Sequence, residues 1–527
     1  MRYCYLLAFL FCSQLVWGQG LLVDSTRFLA VKRCCAYINN AIATYDKGIV
    51  FVGNTSTDPS GIIPSLPIDS LGFNVLIGKL DSNQTVLWAK VYGGYGYDDA
   101  KVVCQAKDGG YGVLASTESS NGDVTGYKGA GDIWFLRLSD TGALLWEKCY
   151  GSSWDEHPIS VASTPDHGFI ILGASNGSGS DVPFHYGDNW SFDWVIIKID
   201  SVGNVQWSRD MGTSGDDGFE GSILAIDSFY YLVTATTSLD HDCTITSWHP
   251  GVNTQSDVYV FKLDANGNTI WDSSYGGSNT DDAVSAIYDD KDTTIIIAGW
   301  SESNDYMVTS NHGLRDYWVL KIKTNGDLIW QKTLGGLRDD NLSGICKGRN
   351  GGYLVTGGTF PGPFGDGDCW LFELDSTGNS INDLVIGGAG PEQSSYSIVP
   401  YLNTSVLLGI SGSAVFTEGS CNINNSGGFI SYLKYSNVGV SNVNYNGRNT
   451  VEIYPNPAGQ SITIKTPNNQ QGTIVFYNTI GIEISRYKVT TDTQTFLCDL
   501  KDWSSGLYMV QWIGEDGNMI VEKFLKY

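Results

Sequence analysis

Basic residues are scarce in this chain: 31 Lys and Arg stand against 56 Asp and Glu, for a formal charge of −25. That balance argues against a phosphate-tracking nucleic-acid binder, which needs a basic face. After Phe11 no apolar run approaches the ~20 residues of a membrane-spanning helix, so no transmembrane segment is expected. Charged residues make up only 17% of the chain, too few for a disordered polyanion. No HExxH, GxSxG or Walker sequence occurs, and no EF-hand spacing, so no motif isolates a reaction.

What is abundant is turn and strand chemistry: 64 Gly, 29 Tyr and 16 Trp, with 14 Pro and 5 Met. At roughly 100 to 200 residues per domain, 527 residues make two to four domains, or a repeat array with a smaller unit. Arg2, the apolar run Tyr5 to Phe11 and the exit Val16, Trp17, Gly18 have the form of a secretory signal peptide, residues 1–18. Beyond Cys4 and Cys12, nine of the 11 Cys remain, an odd number for an oxidising compartment, and spacing does not reveal any pairing.

One motif recurs: an acidic residue, an aromatic, apolar residues, a basic residue, then Leu or Ile. It reads DIWFLRL from Asp132, DWVIIKI from Asp193, DVYVFKL from Asp257, DYWVLKI from Asp316 and DCWLFEL from Asp368. Weaker copies start at Asn74 and Gly427. The closing residues Leu80, Leu138, Ile199, Leu263, Ile322, Leu374 and Leu433 lie 58, 61, 64, 59, 52 and 59 residues apart. Most copies lead into a Gly turn such as DANGN, then a strand carrying Trp88, Trp146, Trp207, Trp271 or Trp330. A Gly-rich step, acidic residues, a strand, a tight turn such as KDGGY and another strand complete the period. Four short antiparallel strands per ~40 to 60 residues predict β-propeller blades, here about seven, because a solenoid needs a shorter period. The chain starts in the middle of a unit and the last unit lacks its Trp strand, so an N-terminal strand near Leu21 to Asp24 is expected to close the ring. From about Arg33 to Leu433 the units resemble the Trp-and-Gly propeller repeats of large exported bacterial proteins. The resemblance implies a fold and a surface location and no reaction.

Antiparallel order puts the DGGY and DANGN turns on one face and the acidic loops and long variable segments on the other. Length, aromatics and five of the six His concentrate on the second face, the candidate ligand face, because binding residues ride on loops over a rigid scaffold. Its candidate ligand residues are Tyr127, His185, Tyr186, Trp190, Trp248, His249 and His312, rings that suit stacking on sugars. The recurrent acids form pairs, among them Asp98 and Asp99, Asp216 and Asp217, Asp281 and Asp282, and Asp339 and Asp340. Paired hard oxygens suit Ca²⁺, but a pair copied into five successive units reads first as a device that fixes the turn. No other cofactor is expected. Residues 19–450 carry a formal −24, and five recurrent acid pairs on one rim predict a negative face.

After residue 435, a polar Asn, Ser and Gly stretch (436–450) leads to a β-rich unit, residues 451–527. Its landmarks are Tyr454, Pro455, Asn456, Pro457, then SITIK, VFYNTIG ending at Gly481, SSGLYMVQW with Gly506 and Tyr508, and EKFLKY with Lys523. This order resembles the type A C-terminal sorting domain of the type IX secretion system, an Ig-like β-sandwich. The resemblance implies the type IX translocon and sortase machinery as partners, then removal of the tail with release or surface attachment. The expectation is therefore an all-β secreted or cell-surface protein of a Gram-negative bacterium, with a propeller over residues 19–435. Its reading is a protein that binds a glycan or a surface protein. The alternatives are an extracellular polysaccharide hydrolase or lyase and a purely structural surface component.

Overall fold

The structure is a computed structural model. It describes residues 21–28, 36–55, 72–82, 85–187, 190–238, 240–243, 255–348, 351–360, 367–386, 392–401, 404–411, 427–435, 452–454, 460–465, 471–477, 483–489, 495–501, 503, 506–514 and 519–526. The predicted signal peptide and the 436–450 linker lie outside the described residues. The chain divides into two units, Met1–Ser436 and Asn437–Tyr527.

Among the described residues the first unit contains seven four-stranded antiparallel sheets. Blade 2 shows the pattern: Asp98–Gln105, Tyr111–Thr117, Asp132–Leu138 and Leu144–Tyr150, hydrogen-bonded in chain order. The first strands of blades 1 to 7 are Ala36–Ala43, Asp98–Gln105, Glu156–Ser163, Ser222–Ile226, Asp281–Asp289, Asp339–Lys347 and Glu392–Tyr401. Each touches the next, and the seventh touches the first, so the sheets close into a ring. Blade 7 takes its outer strand from the other end of the propeller: Leu21–Phe28 pairs antiparallel with Gly427–Tyr435, Leu21 opposite Tyr435. The expected closure by an N-terminal strand is observed.

The third strands are apolar without alternation because both faces of each blade are covered. Asp132–Leu138 and Asp193–Ile199 are buried at every position. The cores accordingly lie between blades. Val50, Val52 and Val75 of blade 1 pack with Val113, Trp134 and Leu136 of blade 2, and the same layer recurs between the following blades through blade 6. The turn between third and fourth strands ends on Gly142, Gly203, Gly267, Gly326 or Gly378, at φ from 77° to 93°, a region that L side chains disfavour. On the face carrying these turns, a buried basic residue of each of four blades reaches the first turn. Lys79 meets Asp46, Arg137 meets Asp108, Lys198 meets Asp166 and Lys321 meets Asp292.

The second unit has a three-stranded sheet, Glu452–Tyr454, Ser461–Lys465 and Thr495–Asp499, and a four-stranded one. The latter orders Glu483–Val489, Gly472–Tyr477, Gly506–Gly514 and Met519–Lys526. Ile462, Ile464, Ile474, Phe476, Val510 and Trp512 form its core.

Candidate functional site

The long-loop face is built on a latch. Five residues on from the glycine that follows each fourth strand (Gly93, Gly151, Gly212, Gly276, Gly335) stand Asp98, Glu156, Asp217, Asp281 and Asp340, none more than 1% exposed. One carboxylate oxygen of each accepts the backbone N–H of the residue after that glycine: Gly94 at 2.8 Å, Ser152 at 2.8 Å, Thr213 at 2.8 Å, Gly277 at 2.7 Å and Gly336 at 2.6 Å. Across the strand a hydroxyl donates to the same carboxylate, Thr117 to Asp98, Ser175 to Glu156, Thr236 to Asp217 and Ser301 to Asp281. In blade 7, Glu392 stands opposite Ser411 in the same backbone register.

One acid of each pair therefore fixes the turn, the role expected of the pairs. The second carboxylate follows the latch at Asp99 and Asp282 and precedes it at Asp155, Asp216 and Asp339. These neighbours make separate contacts. Asp99 accepts from Asn39 and Asn54, each at 2.7 Å, Asp282 from Ser256 at 2.9 Å, and Asp216 from the Phe192 amide at 3.0 Å. Among the described residues no three His, Cys, Asp or Glu gather to hold a metal ion.

The rim is also less negative than the composition implies. Burial raises the carboxyls of Asp98 and Glu156 above the usual range, and takes Asp281 to about 6 and Asp217 to about 8. The expected negative face is thus partly folded inward, where desolvation favours the neutral acid.

A second repeated device escaped the sequence reading. Four of the long segments share a four-residue turn: Asn121–Val124, Gly179–Val182, Asp240–Cys243 and Asp305–Val308. Its last residue is buried in every copy (Val124, Val182, Cys243, Val308). Its third residue donates a backbone N–H to the latch glycine: Asp123 to Gly93 at 3.0 Å, Asp181 to Gly151 at 3.2 Å, Asp242 to Gly212 at 3.3 Å and Met307 to Gly276 at 3.4 Å. Its second residue is left-handed, with φ of 70°, 50°, 49° and 51°, and exposed. There the blades differ: Gly122, Ser180, His241 and Tyr306. Three non-glycine residues hold a conformation that costs roughly 1 to 2 kcal/mol. The signal was legible as the spaced copies NGDV, GSDV, DHDC and DYMV.

The sequence candidates fall in three places on this face. His185, Tyr186 and Trp190 share one segment of blade 3, where the Tyr186 ring stacks on His241 of blade 4 at 4.3 Å and 19°. Phe184 meets Tyr186 edge-on at 4.8 Å, His185 Nδ1 lies 3.0 Å from Asp193 Oδ2, and Trp190 is 89% exposed. Tyr127 of blade 2 donates its hydroxyl to the Ala130 carbonyl at 2.8 Å, closing its own loop. His312 of blade 5 places Nδ1 2.7 Å from Asp316 Oδ2. Trp248 and His249 lie outside the described residues.

Beneath the Phe184–Tyr186–His241 group sits Asp210, at a fourth-strand register filled elsewhere by Val91, Cys149, Ser274 and Thr333. It is buried, accepts the Phe184 N–H at 2.6 Å, and is pushed to about 8 by burial and by the charges of Asp193, Glu156 and Asp242.

In the second unit, Tyr454, Gly506, Tyr508 and Lys523 stand on strands, Tyr508 in the core, while Pro455, Asn456, Pro457 and Gly481 lie outside the described residues.

Residues 452–526 match the secretion system C-terminal sorting domain family. No curated protein matches the chain. Among solved structures it is similar to a protein of unknown function from Dyadobacter fermentans, at 11% identity and TM-score 0.39 over 79% of this chain and 100% of that one. It is also similar to the Pan2 WD40 domain of Neurospora crassa, at 10% identity and TM-score 0.39 over 76% and 89%. A third is the periplasmic gluconolactonase of Pseudomonas aeruginosa, at 10% identity and TM-score 0.39 over 72% and 98%. The propeller assignment rests on the closed ring of sheets. With its type IX sorting tail, the chain is a β-propeller exported to the cell surface or the extracellular space.

Proposed function

We propose that this exported propeller is a binding protein, that its long-loop face holds the ligand, and that the ligand is a glycan. The observation that carries the reading is the shared turn. In blades 2 to 5 a fixed scaffold presents one exposed, left-handed residue each, and the side chain there changes from Gly122 to Ser180, His241 and Tyr306 while the docking residues keep their roles. Backbone strain held at an exposed, varied position is characteristic of recognition loops on rigid frames.

The surrounding chemistry favours a sugar. Phe184, Trp190 and Tyr306 expose more than half of their surface, and Tyr95, Tyr97 and Trp154 add further exposed rings on the same face. Aromatic faces stack on sugar C–H groups, and carboxylates and amides nearby suit hydroxyls. A hydrolase or lyase would need a distinct carboxyl pair. The latch acids recur in successive blades as hydrogen-bonded turn holders, so they serve the scaffold rather than one reaction centre.

The exported protein applied to a glycan array, followed by calorimetry on the best hit, tests the proposal. Trp190→Ala, His241→Ala and Tyr306→Ala should each weaken binding while leaving the melting temperature in place. Full affinity in all three variants, or no glycan retained at any concentration, overturns it.

A further inference from the structure

The latch acids do not stand alone. At the four junctions from blade 2 to blade 6 the glycine at the end of the fourth strand lies between the Asp that opens the third strand of one blade and the latch acid of the next. A methyl group on Gly151 would come within 3.1 Å of Asp132 Oδ1 and closer still to Glu156 Oε2. On Gly212 it would meet Asp193 Oδ1 at 2.9 Å and Asp217 Oδ2 at 2.5 Å, and on Gly335 Asp316 Oδ1 at 2.5 Å and Asp340 Oδ2 at 2.7 Å. On Gly276 it would press on Asp257 Oδ1 and lie 2.9 Å from Asp281 Oδ2. Two oxygens so close to one point are at most about 5.4 Å apart, a separation at which buried like charges resist joint ionisation.

The third-strand oxygens also lack donors. Asp132 Oδ1, Asp193 Oδ1, Asp316 Oδ1 and both oxygens of Asp257 accept no hydrogen bond among the described residues, and all four side chains are at most 3% exposed. The first junction supplies the comparison: there the third strand opens with Asn74, facing Asp98 across Gly93. An amide brings its own N–H. Its orientation is an assignment, and turned about, Asn74 offers Nδ2–H toward Asp98.

The geometry points to one shared proton at each of the junctions from blade 2 to blade 6, so that a carboxylic acid on one side donates to the carboxylate that faces it. The ring is thus joined by four protons, and acidification tightens it. No covalent step is involved; a proton taken from solvent at low pH returns there at high pH.

Asp132 faces Lys128, whose ammonium is held by Asp181 at 3.0 Å, and Asp193 faces His185, Asp210 and Asp242. Asp316 meets His312 and Asp340, and among the described residues Asp257 faces Asp281. Burial, the largest cause at each, raises Asp132 and Asp193 to about 6 and Asp257 to about 8.

Melting of the full exported protein between about pH 5 and pH 8.5 tests this, with and without millimolar Ca²⁺. The wild type should lose stability as pH rises. Asp132→Asn and Asp257→Asn should flatten the slope, and Asn74→Asp, which creates a fifth pair, should steepen it. Unchanged slopes overturn the proposal, as does Ca²⁺ that abolishes the wild-type slope, which would make the pairs cation sites. Should the variants fold poorly, difference titration of native against unfolded wild type decides: about four extra protons bound by the native state near pH 6 are expected, beyond the one taken up by buried Asp210, and fewer than one overturns it.

Discussion

The indole of Trp146 in blade 2 packs against Gly203 in the turn of blade 3, so closely that a Cβ on Gly203 would sit 2.7 Å from its ring. The indole N–H also donates to the Ser201 carbonyl at 3.3 Å, and Tyr150 and Lys148 donate to the Gly203 carbonyl at 2.7 and 3.0 Å. Trp88 meets Gly142, Trp207 meets Gly267 and Trp330 meets Gly378 in the same way. The repeated Trp and the repeated Gly are two halves of one contact between neighbouring blades.

Gly203→Val should therefore destabilise the propeller by roughly 2 to 4 kcal/mol, combining the left-handed φ with overpacking against Trp146. Gly203→Ala should lie between it and wild type. Urea unfolding followed by Trp fluorescence measures both, and a cost for Gly203→Val below that of a surface substitution would contradict the contact.

Ser301→Ala removes a hydroxyl that donates to buried Asp281 and should cost about 1 to 3 kcal/mol. Because that hydroxyl holds the Asp281 carboxyl down, its loss raises the pKa further. The double variant Ser301→Ala, Asp281→Asn should recover part of the loss, a coupling that a double-mutant cycle reads directly.

The basic ladder on the opposite face responds to pH with the other sign. Burial pushes the Asp166 carboxyl up, but the Lys198 ammonium and the Thr164 hydroxyl outweigh it, so the folded pKa falls below the ordinary 3.8. Its stabilisation is present above that value and is lost as pH falls through the folded pKa. Asp166 is about half exposed, so Asp166→Asn should cost about 1 kcal/mol or less at neutral pH. The difference should vanish near pH 2, as thermal melts across the acid range would show. The latch pairs and this ladder together predict greatest stability at mildly acidic pH.

Deleting residues 21–28 leaves blade 7 with three strands and exposes the edge of Gly427–Tyr435. Amide exchange in 427–435 should rise at least about tenfold, and light scattering should report association through the open edge. Unchanged protection would show that the ring closes without the N-terminal strand.

Truncation before residue 452 should keep the propeller fold and abolish delivery to the cell surface or medium, as cell fractionation would read. Normal delivery of the truncated chain would separate export from the sorting domain.

Much of this was legible in the sequence. The ~59-residue period, the hairpin turns and the unfinished last unit specify four-stranded blades and a ring closed from both ends, because strand pairing between neighbours follows chain order. The sorting tail was legible from Tyr454 to Lys523 because its landmarks are local. Which acid of each pair fixes the turn was not legible, because Asp98 and Asp99, or Asp339 and Asp340, look alike in a string. On a strand successive side chains face opposite ways, and only the residue five beyond the glycine turns under the loop. Nor does one unit reveal that Asp132 confronts Glu156, or Trp146 Gly203. Those partners belong to different blades, 24 and 57 residues apart. The sequence determined the blades; only the closed ring decided which carboxyls are buried face to face. Desolvation depends on what the neighbouring blade covers, and that is a property of packing rather than of any repeat.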